Sequence, residues 1–339
     1  MLNSISLPRL HVILRFVKKI LVGKYPRFIA ALNLYFRTRN PKSINQKILY
    51  KMAYDKSTNQ TIFADKYKVR EYVSERIGSK YLSRILHVGI PGELIPWETL
   101  PEEFVLKCNH SSGGSVIIWR GAKKAELPQQ LNFHNWSKYL IHPETIDRLK
   151  IQFFFNELLK QNYADFPGFR EYAYLEIPPR LIGEELLLDA AGQIPDDIKF
   201  WCINGRVELI QVDTSRFSNH RRQILDRDWN KIATTLLYPP IEQDIAVPIN
   251  LQEMIEIAEL LSKEVDFVRV DLYDLGSRIV FGELTNYPDG GMAKFKPKGV
   301  GIHLGSLLEL DNSIPIRSKK YRLITFLLNR QNRHFWANG

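Results

Sequence analysis

Residues 269–288 read RVDLYDLGSRIVFGELTNYP. Apolar and polar residues alternate on both sides of Gly276-Ser277. The stretch therefore predicts two antiparallel strands, Val265–Tyr273 and Arg278–Leu284, joined by a tight turn. A second hairpin lies upstream: Asp197–Cys202, the turn Asn204-Gly205, then Arg206–Asp213. Asn-Gly is a strong hairpin signal because both turn positions need positive φ. Strict two-residue pairing sets Lys199 opposite Ile210 and Phe200 opposite Leu209. One face is then Ile198, Phe200, Cys202, Val207 and Leu209, a core face, and the other carries Lys199, Arg206 and Glu208. Helix Leu251–Lys263 falls between the hairpins, with Met254, Ile257, Ala258 and Leu261 turned inward. Antiparallel pairs mixed with helices make an α+β chain. Regular βαβ alternation is missing, which argues against a doubly wound dinucleotide fold.

Working outward, Pro101–Trp119 predicts two strands around a polar, glycine-containing loop. Thr145–Gln161 predicts a helix with Leu149, Phe153, Phe154 and Leu158 as its apolar stripe. Tyr172–Ile177 reads as a strand that stops at Pro178-Pro179. Asp65–Ile85 reads as polar and mostly helical, and Gly89–Glu98 as a loop. Gly299-Val300-Gly301 and Gly305 form a broken glycine run with no strand leading into it, and they read as loop.

The chain has 339 residues, 45% of them hydrophobic and 25% charged, which is the make-up of an ordinary globular protein. Its 2 cysteines, Cys108 and Cys202, cannot build a disulfide framework or a four-thiolate zinc site, and strand-like neighbours read as burying both thiols. The formal charge of +10 is concentrated at one end. Residues 1–54 hold eleven Lys or Arg and no Asp or Glu, so the remaining body is near neutral. Leu10, Ile13, Leu14, Val17, Ile20 and Leu21 recur at helical spacing in this arm. It reads either as an interfacial helix on an anionic membrane or, as apolar stripes more often mean, as a helix packed on the body. Basic charge alone is too unspecific to indicate nucleic acid, and no nucleic-acid partner is expected.

No P-loop, H-E-x-x-H or G-x-S-x-G motif occurs, but four constellations remain. An apolar strand ends in Lys107 and meets Asn109–Ser115, whose backbone N–H groups in Ser111, Ser112, Gly113 and Gly114 can cradle phosphate oxygens. Asp197 and Lys199 share a strand face. Asp271 lies one step from Glu283 across the second hairpin, and a single bulge would set the two carboxylates directly opposite. Such a pair is unfavourable without a cation, and hard Mg²⁺ takes a carboxylate or two plus phosphate oxygens. Asp213, Arg216, His220, Arg221 and Arg222 form a basic cluster suited to phosphoryl charge. Each has a bland alternative as a solvated strand face or loop.

Taken in order, these segments resemble the ATP-grasp superfamily, and more closely its teichuronopeptide-biosynthesis (TupA-like) branch. Phe104–Gly114 (FVLKCNHSSGG) is similar to the branch's lysine and phosphate loop. Asp197–Gln211 (DIKFWCINGRVELIQ) is similar to its central hairpin, and Arg269–Pro288 to its metal-binding hairpin. The likeness covers roughly residues 50–310. It implies an ATP-grasp fold, two α+β subdomains whose antiparallel sheets clasp the nucleotide, preceded by the basic helical arm. The expected segments are an arm at 1–54, a helical and loop part at 55–100, a lid at 101–180, a metal-bearing subdomain at 181–315 and a basic tail at 316–339.

By motif position the resemblance implies that Lys107 and Lys199 bind ATP phosphates. Leu175–Leu181, including Glu176, would line the adenine, with Glu184 or Glu185 near the ribose. Asp271, Glu283 and Asn286 would hold Mg²⁺, with Arg216 near the transferred phosphate. Many superfamily members have an asparagine two residues after the metal-binding glutamate; here Thr285 stands there and Asn286 follows. The implied activity is carboxylate–amine ligation through an acyl phosphate, on a cell-surface polymer precursor, in the cytoplasm or on the inner membrane face through residues 1–40. A sugar-transferring enzyme of the same pathway and a non-catalytic ATP-binding partner remain alternatives.

Overall fold

The computed structural model describes residues 34, 36–55, 57–125, 138–163, 171–215 and 219–310. The chain divides into two units, residues 1–42 with 310–339, and residues 43–309. In the first, Thr38 Oγ1 donates to the Leu34 carbonyl at 2.7 Å within a short helical piece. The stripe from Leu10 to Leu21 and the tail at 316–339 lie outside the described residues. Among those described, no helix is long and apolar enough to cross a membrane.

The second unit opens with helices α1 (Ile44–Tyr54), α2 (Thr58–Ala64) and α3 (Val69–Ile77). A capping box starts α1: Ser43 N donates to the Gln46 side chain at 3.1 Å, and Gln46 N to Ser43 Oγ at 3.4 Å. Although α1 continues the acid-free run of the arm, it is a core helix of this body. Lys51 is buried and pairs with Asp266 at 2.6 Å and Asp55 at 2.8 Å.

The first sheet contains β1 (Ile85–Gly89), β2 (Phe104–Cys108), β3 (Ser115–Ile118) and β4 (Lys138–Ile141). Helix α4 (Arg148–Leu159) follows, then β5 (Leu181–Glu185), and the strand order is β1-β5-β2-β3-β4. Only β3 and β4 run parallel. This sheet therefore draws strands from both sides of residues 101–180. The apolar stripe of α4 differs from the predicted one: Ile151, Phe154, Phe155 and Leu158 are buried, while Leu149 is 85% and Phe153 67% exposed. Two i,i+4 stripes compete on this helix, and the four-membered one at i, i+3, i+4, i+7 takes the core. The strand expected at Tyr172–Ile177 is a 3-10 turn, Tyr172–Tyr174, followed by Pro178-Pro179, which have no N–H to give a ladder.

The second sheet contains β6 (Asp197–Ile203), β7 (Arg206–Thr214) and β8 (Arg221–Leu225). After β9 (Thr235–Leu236) and α5 (Leu251–Ser262) come β10 (Phe267–Asp274) and β11 (Ile279–Thr285). The order is β11-β10-β6-β7-β8, with every neighbouring pair antiparallel. β12 (Phe295–Lys296) pairs with β9, and α6 (Lys298–Leu307) follows. That helix replaces the loop expected around Gly299–Gly305. Gly301 permits close packing there: a Cβ on it would stand 3.2 Å from Phe295 Cδ2.

Two one-residue bulges set the face of every side chain in this sheet. Glu208 is unpaired between Trp201↔Leu209 and Cys202↔Val207, so Lys199 lies opposite Gln211 rather than Ile210. Leu209 consequently leaves the expected core face and joins Trp201 and Ile203 on the other. The back face keeps Ile198, Phe200, Cys202 and Val207 and packs on Met254, Ile257, Ala258 and Leu261 of α5. The front face is not solvated, since every residue of β6 is buried. It divides into halves. Trp201, Ile203, Leu209, Ile224 and Phe267 form an apolar half covered by α1 and α6. Asp197, Lys199, Gln211, Asp213, Arg222, Arg269 and Asp271 form a buried polar half.

The second bulge is at Gly282. Leu272 faces Phe281, but Asp271 faces Glu283, as a single bulge requires. A Cβ on Gly282 would lie 3.0 Å from the Asp271 carbonyl and from Tyr273 Cε2. Gly282→Ala is expected to destabilise the chain by about 1–2 kcal/mol, read as a lower midpoint in urea with an unchanged slope.

Candidate functional site

The polar half of the second sheet is a hydrogen-bonded charge group. Lys199 Nζ lies 2.7 Å from Asp197 Oδ2 and 2.5 Å from Asp271 Oδ2. Arg269 grips Asp271 with two bonds, Nε to Oδ1 at 2.6 Å and Nη2 to Oδ2 at 2.7 Å. The same Nη2 reaches Glu283 Oε1 at 3.1 Å and Thr285 Oγ1 at 3.0 Å, and Thr285 donates to Glu283 at 2.8 Å. Strand alternation puts Glu283 and Thr285 on one side of β11. Asn286 is on the other, donating to the Gln60 carbonyl at 2.8 Å, and is not brought to the carboxylate pair.

Burial raises the Asp271 carboxyl, against the pull of Arg269 and Lys199. Burial also acts to raise Glu283, but Arg269, Lys66 and Lys199 prevail and hold it at about 2. Further along the row, Arg222 grips Asp213 at 2.6 and 3.0 Å. His220 Nε2 lies 3.4 Å from Asp213, and its ring stacks on Tyr238 at 3.7 Å between centroids. Arg222 is thus a buried partner of an acid, not part of a solvated basic loop. Arg216 lies outside the described residues.

The first sheet contributes a second group. Lys107 Nζ pairs with Glu184 at 2.6 Å, and Arg70 approaches the same carboxylate at 3.5 Å. Alternation separates Glu184 from Glu185, which instead takes Arg278 at 2.9 Å and the Arg84 N–H at 2.8 Å. Gly113 and Gly114 have φ of 92° and 70°. A Cβ on Gly114 would meet Leu158 Cδ2 at 2.7 Å. Ser111 is buried and Ser112 hydrogen-bonds the Tyr163 phenol. Glu176 and Leu175 are exposed, while Ile177 and Leu181 are buried.

Lys66, which the sequence reading missed, ties this loop to the body. Its Nζ donates to the Ser111 carbonyl at 2.6 Å, and its N–H to the Asn109 carbonyl at 3.2 Å. Asp65 accepts from Asn109 Nδ2 at 2.9 Å. Burial lowers the Lys66 ammonium, Glu283 raises it and Lys107 lowers it further, so its charge feels both sheets. Glu171 was missed as well. Burial pushes its carboxyl up to about 8, with Lys66 opposing and Glu283 adding to the rise. The sequence signal for Lys66 was an Asp-Lys step just before a helix; Glu171 had none.

The donor chemistry suits a hard divalent ion. Two carboxylates stand directly opposite, and within the bonded group three acids (Asp197, Asp271, Glu283) face two cations (Lys199, Arg269). Among the described residues no group of three or more His, Cys, Asp or Glu gathers to hold a metal. The remaining ligands would be phosphate oxygens and water.

The family model described as TupA-like ATPgrasp matches residues 46–309. No curated protein sequence matches the chain. Among solved structures, a D-alanine–D-alanine ligase from Bacillus anthracis shares 14% identity and a TM-score of 0.40, covering 77% of this chain and 69% of that one. The ATP-grasp ligase PsnB with a minimal precursor shares 10%, with a TM-score of 0.34 over 80% and 62% of the two chains. C-terminally truncated Cdc123 from Schizosaccharomyces pombe shares 10%, with a TM-score of 0.32 over 68% and 86%.

The Glu171 shift gives a pH test. A carboxyl raised in the folded chain favours folding fully below its ordinary value near ~4.3, and that contribution is lost as pH rises to about 8. Glu171→Gln is expected to remove this loss. Its Tm should gain on the wild type steadily between those two pH values, as followed by circular dichroism melts.

Proposed function

The chain belongs to the TupA-like ATP-grasp family, and on that premise we propose that it is an ATP- and Mg²⁺-dependent carboxylate–amine ligase. The observation that carries the reading is the buried group in which Lys199 and Arg269 hold Asp271 opposite Glu283. Lys66 and Lys107 supply cationic charge from the loop side. On this reading both lysines and the N–H groups of residues 111–114 bind the phosphates, and Glu184 meets the ribose. Asp271 and Glu283 would hold the Mg²⁺, which when bound offsets charge on the transferred group. Arg269 orients both carboxylates through its fixed fork, and Thr285 fixes Glu283 from the other side. Lys199 provides a second cation beside the transfer site.

The reaction has two steps. A substrate carboxylate oxygen bonds the γ-phosphorus, and ADP leaves with the electron pair of the broken P–O bond. An amine nitrogen then attacks the acyl carbon, phosphate leaves with the C–O pair, and the nitrogen sheds a proton. The positive residues of the site favour the anionic groups in both steps. A surface-polymer precursor is the substrate class we assign, with residues 1–40 bringing the enzyme to the inner face of an anionic membrane, as their charge favours.

Three measurements test this. AMP-PNP with Mg²⁺ is expected to raise Tm by several degrees; a shift with a nucleotide sugar and none with AMP-PNP would assign the site to sugar transfer. Lys66→Met is expected to weaken AMP-PNP binding by about tenfold, about 1.4 kcal/mol, in calorimetry. Glu283→Gln is expected to lower Mg²⁺-dependent turnover by about 100-fold with little change in folding; turnover at the wild-type rate would remove Glu283 from the metal site.

A further inference from the structure

Both oxygens of Asp271 are already engaged. Arg269 Nε takes Oδ1 at 2.6 Å, while Arg269 Nη2 at 2.7 Å and Lys199 Nζ at 2.5 Å share Oδ2. An oxygen accepting two charge-assisted bonds has no lone pair left for a cation, and an ammonium at that distance repels one. A divalent ion that takes Oδ2 must therefore displace one of these two cations, and Lys199 is the one that already has a second acid beside it. The lysine is buried, so it cannot simply swing into water. It needs another anion within reach.

Asp197 is that anion. It stands two residues before Lys199 on the same face of β6, and its Oδ2 already lies 2.7 Å from Nζ. Asp213, directly across from Asp197, is not available for the same purpose: Arg222 grips both of its oxygens and Gln211 donates to one of them. Lys199 thus sits between one acid that a metal would claim and one that it would not. We propose that Asp197 is a positioning residue, the acceptor that retains Lys199 when Asp271 is given up to a divalent ion. Lys199 and Arg269 occupy Asp271. Phosphate oxygens draw the cations off, the carboxylate turns to the metal, and metal and nucleotide strengthen each other's binding. This rests on the nucleotide reading above and deepens it.

The test uses the full chain and the coupling between Mn²⁺ and AMP-PNP in calorimetry. In the wild type, Mn²⁺ is expected to tighten AMP-PNP at least tenfold relative to EDTA. In Asp197→Asn the affinity in EDTA should stay within twofold while the tightening falls below twofold, and Asp197→Glu should restore it. Equal losses with and without Mn²⁺ would mean a merely structural role and overturn the proposal, as would full tightening in Asp197→Asn. Should Asp197→Asn not fold, Lys199→Met carries the opposite expectation. With the ammonium gone, Mn²⁺ should bind without nucleotide at least tenfold more tightly than to the wild type, read from the free Mn²⁺ resonance; no gain overturns the proposal. A wild type that takes up neither AMP-PNP nor Mn²⁺ removes the nucleotide reading, and this proposal with it.

Discussion

Burying carboxylates on a sheet face is tolerable only when cations are buried with them, and the second sheet is organised around that requirement. Asp271 alone in such a position would be neutralised or would disfavour folding. Two bonds from Arg269 and one from Lys199 keep it in place. The remaining features follow from this group. Glu283 is drawn to the other side of Arg269, Thr285 closes the fork, and Asp197 shares the lysine. Such a cluster contributes little net stability compared with an apolar core of the same volume. Its value lies in holding charge ready where solvent is scarce and electrostatic effects are large.

The sheet manages this by dividing its front face along a line that crosses the strands. β6 runs from Asp197 and Lys199 to Trp201 and Ile203, whereas antiparallel β10 runs from Phe267 to Arg269 and Asp271. Antiparallel pairing sets Phe267 beside Ile203 and Asp271 beside Lys199, with Arg269 and Trp201 meeting at the dividing line. The apolar half anchors α1 and α6, and the back face is fully apolar against α5. Rigidity is therefore supplied on two sides of the charges.

Much of this was legible in the residues. Both hairpins, the helix between them and the lysine strand with its loop follow from alternation and turn chemistry. The opposition of Asp271 and Glu283 hung on one bulge, and Gly282, a glycine inside a strand, was the mark of it. The bulge at Glu208 had no such mark, because nothing distinguishes a glutamate that is paired from one that is skipped. That is why Leu209 was assigned to the wrong face. The helix at Lys298–Leu307 was hidden by its glycines, of which Gly301 packs closely on Phe295. Lys66 was marked only by an Asp-Lys step before a helix, too weak a sign to single it out among the lysines of a polar helical stretch. Its importance comes from a carbonyl 45 residues away at Ser111. Asn286 follows the end of β11 and turns to the Gln60 carbonyl, on the side away from Glu283 and Thr285.

The two cysteines acquire a use from where they lie. Cys108 ends β2 in the first sheet and Cys202 sits in β6 of the second, both with no exposed surface. Burial raises both thiols, Cys202 to about 12, so neither forms the reactive thiolate near neutral pH. Each sheet thus contains one silent sulfur that becomes visible to an alkylating reagent only when its own strands part. The order in which the two are labelled in rising denaturant would show whether the two sheets come apart together or in sequence, without a single residue being changed.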